Sequence, residues 1–139
     1  MIVKEKKELE KYNLQLLNDF FIIYREISSD IAQRLMDFKN KWEKGSDEDI
    51  FAEAAFCIFT PQSRAKLCWQ TVLDLIENHL LFSNDYNSIL DFTSRVRFKY
   101  KKSQYLIDAK YTFMIDNKLK IREIISSFND VLELREWLV

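Results

Sequence analysis

The sequence is poor in the residues that most ligand sites depend on: in 139 residues it has one glycine, one proline, one histidine and two cysteines. A single glycine, Gly45, cannot build a glycine-rich phosphate cradle, which excludes a P-loop and a dinucleotide-binding turn. A single histidine, His79, cannot supply a multi-histidine metal site. Two cysteines, Cys57 and Cys68, with no signal peptide ahead of them make neither a disulfide framework nor a zinc ribbon. Nor can they ligate an iron–sulfur cluster in the four-cysteine manner. No apolar run reaches the ~18 residues of a membrane-spanning helix. So few glycines and prolines also disfavour a turn-rich all-β fold. Against these absences stand a hydrophobic share of 47% and an aromatic share of 14%, enough to bury a core. The expectation is a soluble, cytoplasmic, all-α chain with no metal and no cofactor.

Apolar spacing divides the chain into helices. Leu9, Tyr12, Leu16, Phe20, Ile23 and Ile27 fall three or four residues apart, the stripe of an amphipathic helix over Val3 to Ile27. Ser28-Ser29-Asp30 reads as a polar break and N-cap. A second helix through Ile31, Leu35, Phe38 and Trp42 would then end in a left-handed stop at Gly45. Ser46 with Asp47, Glu48 and Asp49 reads as a cap with first-turn acids rather than a metal cluster. The next helix, to Phe59, has little polar face and should be central and buried, with Cys57 and Cys68 as packing cysteines. Thr60-Pro61 stops it, and Gln62-Ser63 opens a helix running to Leu80, with His79 on the surface near its end. Ser83-Asn84-Asp85 starts a short helix through Phe92. Further helices follow over Tyr105 to Met114, Leu119 to Phe128, and from Asn129 onward. The apolar ending Trp137-Leu138-Val139 suggests a fragment of a longer reading frame. Residues 1–45 read as a helical extension and 46–139 as a partial domain.

Net charge is −1, but its distribution is uneven. Thr60 to Lys110 holds eight Lys/Arg against five Asp/Glu, while the remainder holds thirteen against seventeen. Five of those eight cations lie between Arg95 and Lys102, interleaved with Phe98 and Tyr100. Cations that neutralise phosphates beside aromatics that stack on bases are the ingredients of a nucleic-acid surface. Composition alone favours a solvated loop and helix face, since lysine-rich surface turns are common.

Three segments carry a resemblance. Phe51-Ala-Glu-Ala-Ala-Phe-Cys57-Ile-Phe-Thr60-Pro61-Gln62-Ser63-Arg-Ala65 resembles the early part of helix-hairpin-helix DNA glycosylases of the archaeal 8-oxoguanine DNA glycosylase/AP lyase type. Arg97-Phe98-Lys99-Tyr100-Lys101-Lys102-Ser-Gln-Tyr105-Leu is similar to the same branch's basic His-Arg-Phe-Tyr segment, with Val96 in place of His and Lys99 in place of Tyr. Arg135-Glu136-Trp137-Leu138-Val139 resembles the segment that leads into the hairpin.

The resemblance implies a multi-helix N-terminal part of such an enzyme, lacking the hairpin and the C-terminal helices, and a partner in double-stranded DNA carrying a damaged base. Gln62 would enter the duplex and contact the orphaned base, and Phe98 would stack on the extruded one. Arg97, Lys99, Lys101, Lys102, Ser63 and Arg64 would hold phosphates. The lysine that attacks C1′ and the aspartate that stabilises the developing charge are expected beyond Val139, so these residues alone should be inactive. A monomer is expected for the intact enzyme. The alternative is a helical nucleic-acid-binding or interaction module without catalysis.

Overall fold

Ser46 illustrates how local chemistry sets the elements of this chain. Its hydroxyl accepts from the Asp49 N–H at 3.1 Å, while the Asp49 carboxylate accepts from the Ser46 N–H at 2.9 Å. This reciprocal capping box satisfies two N–H groups that a helix start leaves open, and it begins the second helix. The computed structural model describes residues 2–139, with side chains described from residue 11 on. In order, the elements are α1 (Ile2–Lys44), α2 (Asp47–Phe59), α3 (Ala65–Glu77), α4 (Tyr86–Phe92) and α5 (Lys99–Thr112). A hairpin of β1 (Met114–Ile115) and β2 (Lys118–Leu119) follows, then α6 (Ile121–Ser126) and α7 (Val131–Leu138). The fold is all-α, and no helix among the described residues is long and apolar enough to cross a membrane.

The expected break at Ser28-Ser29-Asp30 does not occur. Ser28 Oγ donates to the Arg25 carbonyl at 3.2 Å, which satisfies the hydroxyl within the helix instead of ending it. Gly45 does end α1, but without left-handed backbone. Its N–H reaches the Lys41 carbonyl at 2.9 Å, and a Cβ there would lie 2.5 Å from that oxygen. Glycine is needed at this position for close approach.

The described chain divides into two compact units, Met1–Asn40 and Lys41–Val139. The first is helical throughout its described residues. Of the expected stripe, Leu9 lies outside the described side chains, and Tyr12, Leu16, Phe20, Ile23 and Ile27 are exposed.

The second unit contains the core. Phe51, Ala55 and Phe59 of α2 are fully buried against Cys68, Val72 and Leu75 of α3, Ile89 of α4, Leu106 of α5 and Ile121 of α6. α2 packs on α3, α5 and α6, which makes it the central helix its composition implied. Its burial is one-sided, however. Cys68 is enclosed, and burial pushes its thiol pKa up, whereas Cys57 is exposed and does not pack in the core. Trp137 anchors α7 through ring contacts with Phe113 and Phe128, at 5.8 and 5.3 Å.

α3 ends three residues before the expected Leu80. The His79 N–H bonds the Ile76 carbonyl at 3.0 Å and the Leu80 N–H bonds the Leu75 carbonyl at 2.7 Å. With His79 at φ 57°, this is a Schellman stop whose left-handed position is filled by histidine rather than glycine. The hairpin was not foreseen. Asp116 and Asn117, at φ 50° and 60°, form its left-handed turn, a conformation that Asp and Asn tolerate better than most residues.

Candidate nucleic-acid interface

Two loops with unusual backbone meet beside the C-terminal end of α2. In the first, Thr60 continues the helical bonding, its N–H reaching the Phe56 carbonyl at 3.0 Å, and Pro61 then forces the chain out. The Ser63 N–H bonds the Thr60 carbonyl at 2.9 Å and closes a four-residue turn, with Pro61 second and Gln62 third. Gln62 takes φ 57°, the positive value that a type II turn requires at its third position. For this reason α3 begins at Ala65, with Arg64 as N-cap, and not at the expected Gln62-Ser63. The second loop leaves α4. Val96 turns into the core, and Phe98 takes φ 61° as the N-cap residue of α5. Left-handed backbone costs about 1–2 kcal/mol for a residue with a Cβ. The surrounding bonds must therefore hold both residues in place.

Those bonds converge on Ser63 and Lys102. Ser63 Oγ accepts from the Arg97 N–H at 3.0 Å and from Lys102 Nζ at 3.3 Å. Lys102 Nζ also donates to the Phe59 carbonyl at 2.7 Å and the Pro61 carbonyl at 2.6 Å. Lys102 is only 5% exposed, and burial lowers its pKa. Its expected role as a phosphate ligand is therefore corrected. The side chain lies inside the protein with its three donors engaged, drawn there by the carbonyls at the end of α2.

The other expected residues are brought to one region. Gln62 and Arg64 are exposed on the first loop, and Ser63 is half-buried behind them. On the second, Phe98 is 53% exposed, with the Arg97 guanidinium 5.1 Å from its ring centre. Lys99 lies 5.2 Å from the Tyr100 ring centre, and Lys101 is exposed. Tyr86 Oη donates to the Tyr100 carbonyl at 3.1 Å and ties this first turn of α5 to α4. Arg95, in the same basic run, pairs with Asp74 at 3.2 Å.

Helix-end electrostatics single out the same place. α2, α4 and α7 begin with side-chain caps from Ser46, Asp85 and Asp130. α3 and α5 have neither a side-chain cap bond nor an acid in the first turn. Their first turns carry Lys66 and, on α5, Lys99 and Lys101 instead. Cations at the positive end of a helix dipole oppose the usual preference, and an anion placed there relieves the repulsion. The Ser63–Arg97 bond brings these two uncapped helix starts together. Between them Gln62 offers an exposed amide and Phe98 an exposed ring. Sequence reasoning missed the internal roles of Ser63 and Lys102; a lysine within a run of cations carries no local mark of burial.

Comparison with known proteins places the chain in a family. Residues 31–139 match the family model Ogg-HhH, 8-oxoguanine DNA glycosylase. An 8-oxoguanine DNA glycosylase/AP lyase of Fusobacterium nucleatum subsp. nucleatum is 37% identical over 125 residues, covering 90% of this chain and 58% of the relative. One of Korarchaeum cryptofilum is 28% identical over 109 residues, covering 78% and 48%. The chain spans about half the length of these curated relatives. No solved structure matches it. The matched region contains both loops, the basic first turn of α5 and the closing helix α7, and the chain belongs to the 8-oxoguanine DNA glycosylase family.

Proposed function

We propose that this chain supplies DNA recognition in a glycosylase/AP lyase that excises oxidised guanine from duplex DNA. The observation that carries the reading is the pairing of two uncapped, lysine-bearing helix starts, α3 and α5, around the exposed side chains of Gln62 and Phe98. Arg64, Arg97, Lys99 and Lys101 bind backbone phosphates on either side of the lesion. Gln62 enters the duplex and hydrogen-bonds the base left without a partner, since an amide offers both a donor and an acceptor. Phe98 stacks on the extruded base. The Arg97 guanidinium beside its ring adds cationic character to that platform.

The family chemistry proceeds through a lysine that attacks C1′, a Schiff base and β-elimination, after a hairpin that needs two glycines. With Gly45 as its one glycine, this sequence cannot form that hairpin. The 139 residues alone are accordingly expected to bind without cutting. Borohydride trapping on an 8-oxoguanine duplex tests this directly. No covalent adduct should form, while a filter or anisotropy assay detects binding that weakens steeply with salt. A trapped adduct would overturn the division between recognition and chemistry. Absence of any duplex binding at low salt would overturn the recognition role.

A further inference from the structure

Lys102 contacts both loops at once. Its backbone N–H donates to the Phe98 carbonyl at 3.1 Å, the first helical bond of α5. Its ammonium donates to the carbonyls of Phe59 and Pro61 and to Ser63 Oγ, which flank Gln62 on both sides. Ser63 in turn accepts from the Arg97 N–H, next to Phe98. One buried residue therefore ties the two left-handed residues that point outward, its ammonium holding the Gln62 turn and its backbone the Phe98 loop, although they belong to separate loops. A buried ammonium is stable only when its donors are met, so its three acceptors must keep their spacing. The turn at Gln62 cannot rotate, nor the Phe98 loop slide, without breaking a bond to Lys102 or Ser63.

We infer that Lys102 is a positioning residue that sets the distance and orientation of Gln62 relative to Phe98, and through them discrimination between damaged and intact duplex. The DNA part of this inference rests on the recognition role proposed above; the bracing of the loops does not. Lys102 differs from Lys99 and Lys101 in kind. Lys101 reaches outward from the same turn and Lys99 lies half-buried by the Tyr100 ring, whereas Lys102 acts from inside the protein, and its charge is unavailable to phosphate.

The experiment uses the whole 139-residue chain with Lys102→Met, Lys102→Arg and, as a surface control, Lys101→Ala. Affinity is measured for a duplex with a tetrahydrofuran abasic analogue and for its intact counterpart, each over a range of salt. In Lys102→Met the ratio of the two affinities should fall by about tenfold or more, as misplacement of a contacting group allows. Its salt slope should stay at the wild-type value, and Lys102→Arg should recover part of the ratio. Lys101→Ala should do the opposite, keeping the ratio and losing about one unit of slope. Partial unfolding lowers both affinities by one factor and leaves their ratio unchanged, so a purely structural role would not move this readout. Should Lys102→Met fail to fold, Ser63→Ala removes only the shared acceptor and should lower the ratio in the same direction.

An unchanged ratio in the folded Lys102→Met variant, or loss of a unit of slope, would overturn the inference. Amide hydrogen exchange on free protein separates it from the recognition role. Faster exchange at Ser63 and Arg97 in Lys102→Met supports the brace even if the wild type binds no DNA, in which case it is the recognition role that fails. Equal exchange in both proteins overturns the brace.

Discussion

Gln62 and Phe98 hold the same left-handed backbone, at φ 57° and 61°, on separate loops joined through the Ser63 hydroxyl. Neither is a glycine, and neither has the short polar side chain that eases this conformation. The strain is kept where two side chains project outward, a pattern found at binding sites. Gln62→Gly and Phe98→Gly should each be more stable than the corresponding alanine variant by about 1 kcal/mol, because glycine removes the Cβ clash. Urea unfolding measures the difference. All four variants should lose discrimination of an abasic duplex. Equal stability of glycine and alanine at either position would argue against left-handed backbone there.

The proposed phosphate contacts are tested by the salt dependence of binding. Arg97→Ala and Lys101→Ala should each reduce the slope of log K against log salt by about 0.9 on duplex DNA. The loss should be similar for damaged and intact sequences, since phosphate contacts position without reading bases. Arg95→Ala should change the slope little, because Arg95 is paired with Asp74. A full unit of loss at Arg95 would move the interface toward α4.

His79 occupies the left-handed position that glycine usually fills where a helix ends in this way. His79→Gly should stabilise the protein by about 1 kcal/mol, with DNA affinity unchanged. Thermal or urea unfolding monitored by circular dichroism gives the value. A destabilised variant would mean that the imidazole makes a contact worth more than the backbone strain.

Gly45→Ala should destabilise the chain by about 1–3 kcal/mol. The added Cβ meets the backbone oxygen of Lys41 at 2.5 Å, and a backbone atom cannot move aside as a side chain can. The carbonyls of Trp42 and Gly45 also accept from the Arg122 guanidinium, so a shift here would be transmitted to α6. Unchanged stability in urea would mean that the connection between α1 and α2 opens freely.

Two caps give the protein an acid-sensitive component. The bond from the Ser46 N–H, followed by that from the Ser46 hydroxyl, holds the Asp49 carboxyl below its usual pKa. The Ser88 hydroxyl and N–H do the same for Asp85. A carboxyl whose pKa is lower folded than unfolded stabilises the fold above about pH 4, and that stability is lost as pH falls through the folded value. The urea midpoint should therefore drop between about pH 5 and pH 2. The double variant Asp49→Asn/Asp85→Asn should start lower and fall less steeply. Parallel curves for the two proteins would show that these caps do not titrate with folding.

Much of the helical order could be read along the chain, because capping and apolar spacing act over three or four residues. Ser46, Asp85 and the apolar run of α2 place three helix boundaries to within a residue or two. The errors arose where a local signal had two outcomes. Ser28-Ser29-Asp30 can cap a new helix or continue one, and the back-bond to Arg25 decides for continuation. Cys57 and Cys68 sit in equally apolar surroundings in sequence, yet the face of each helix that meets the core buries one and exposes the other.

The sequence by itself determined the all-α class, the exclusion of glycine-built phosphate loops, and the family, because each depends on residue types and short-range order. It also placed Gln62, Phe98 and a run of cations on the chain. Which of those cations face outward was decided only by tertiary structure. Lys101 and Lys102 are adjacent and chemically identical, and the 100° step of a helix sends one to solvent and the other to the carbonyls of Phe59 and Pro61. Those acceptors lie more than forty residues earlier, and only folding brings them to the ammonium.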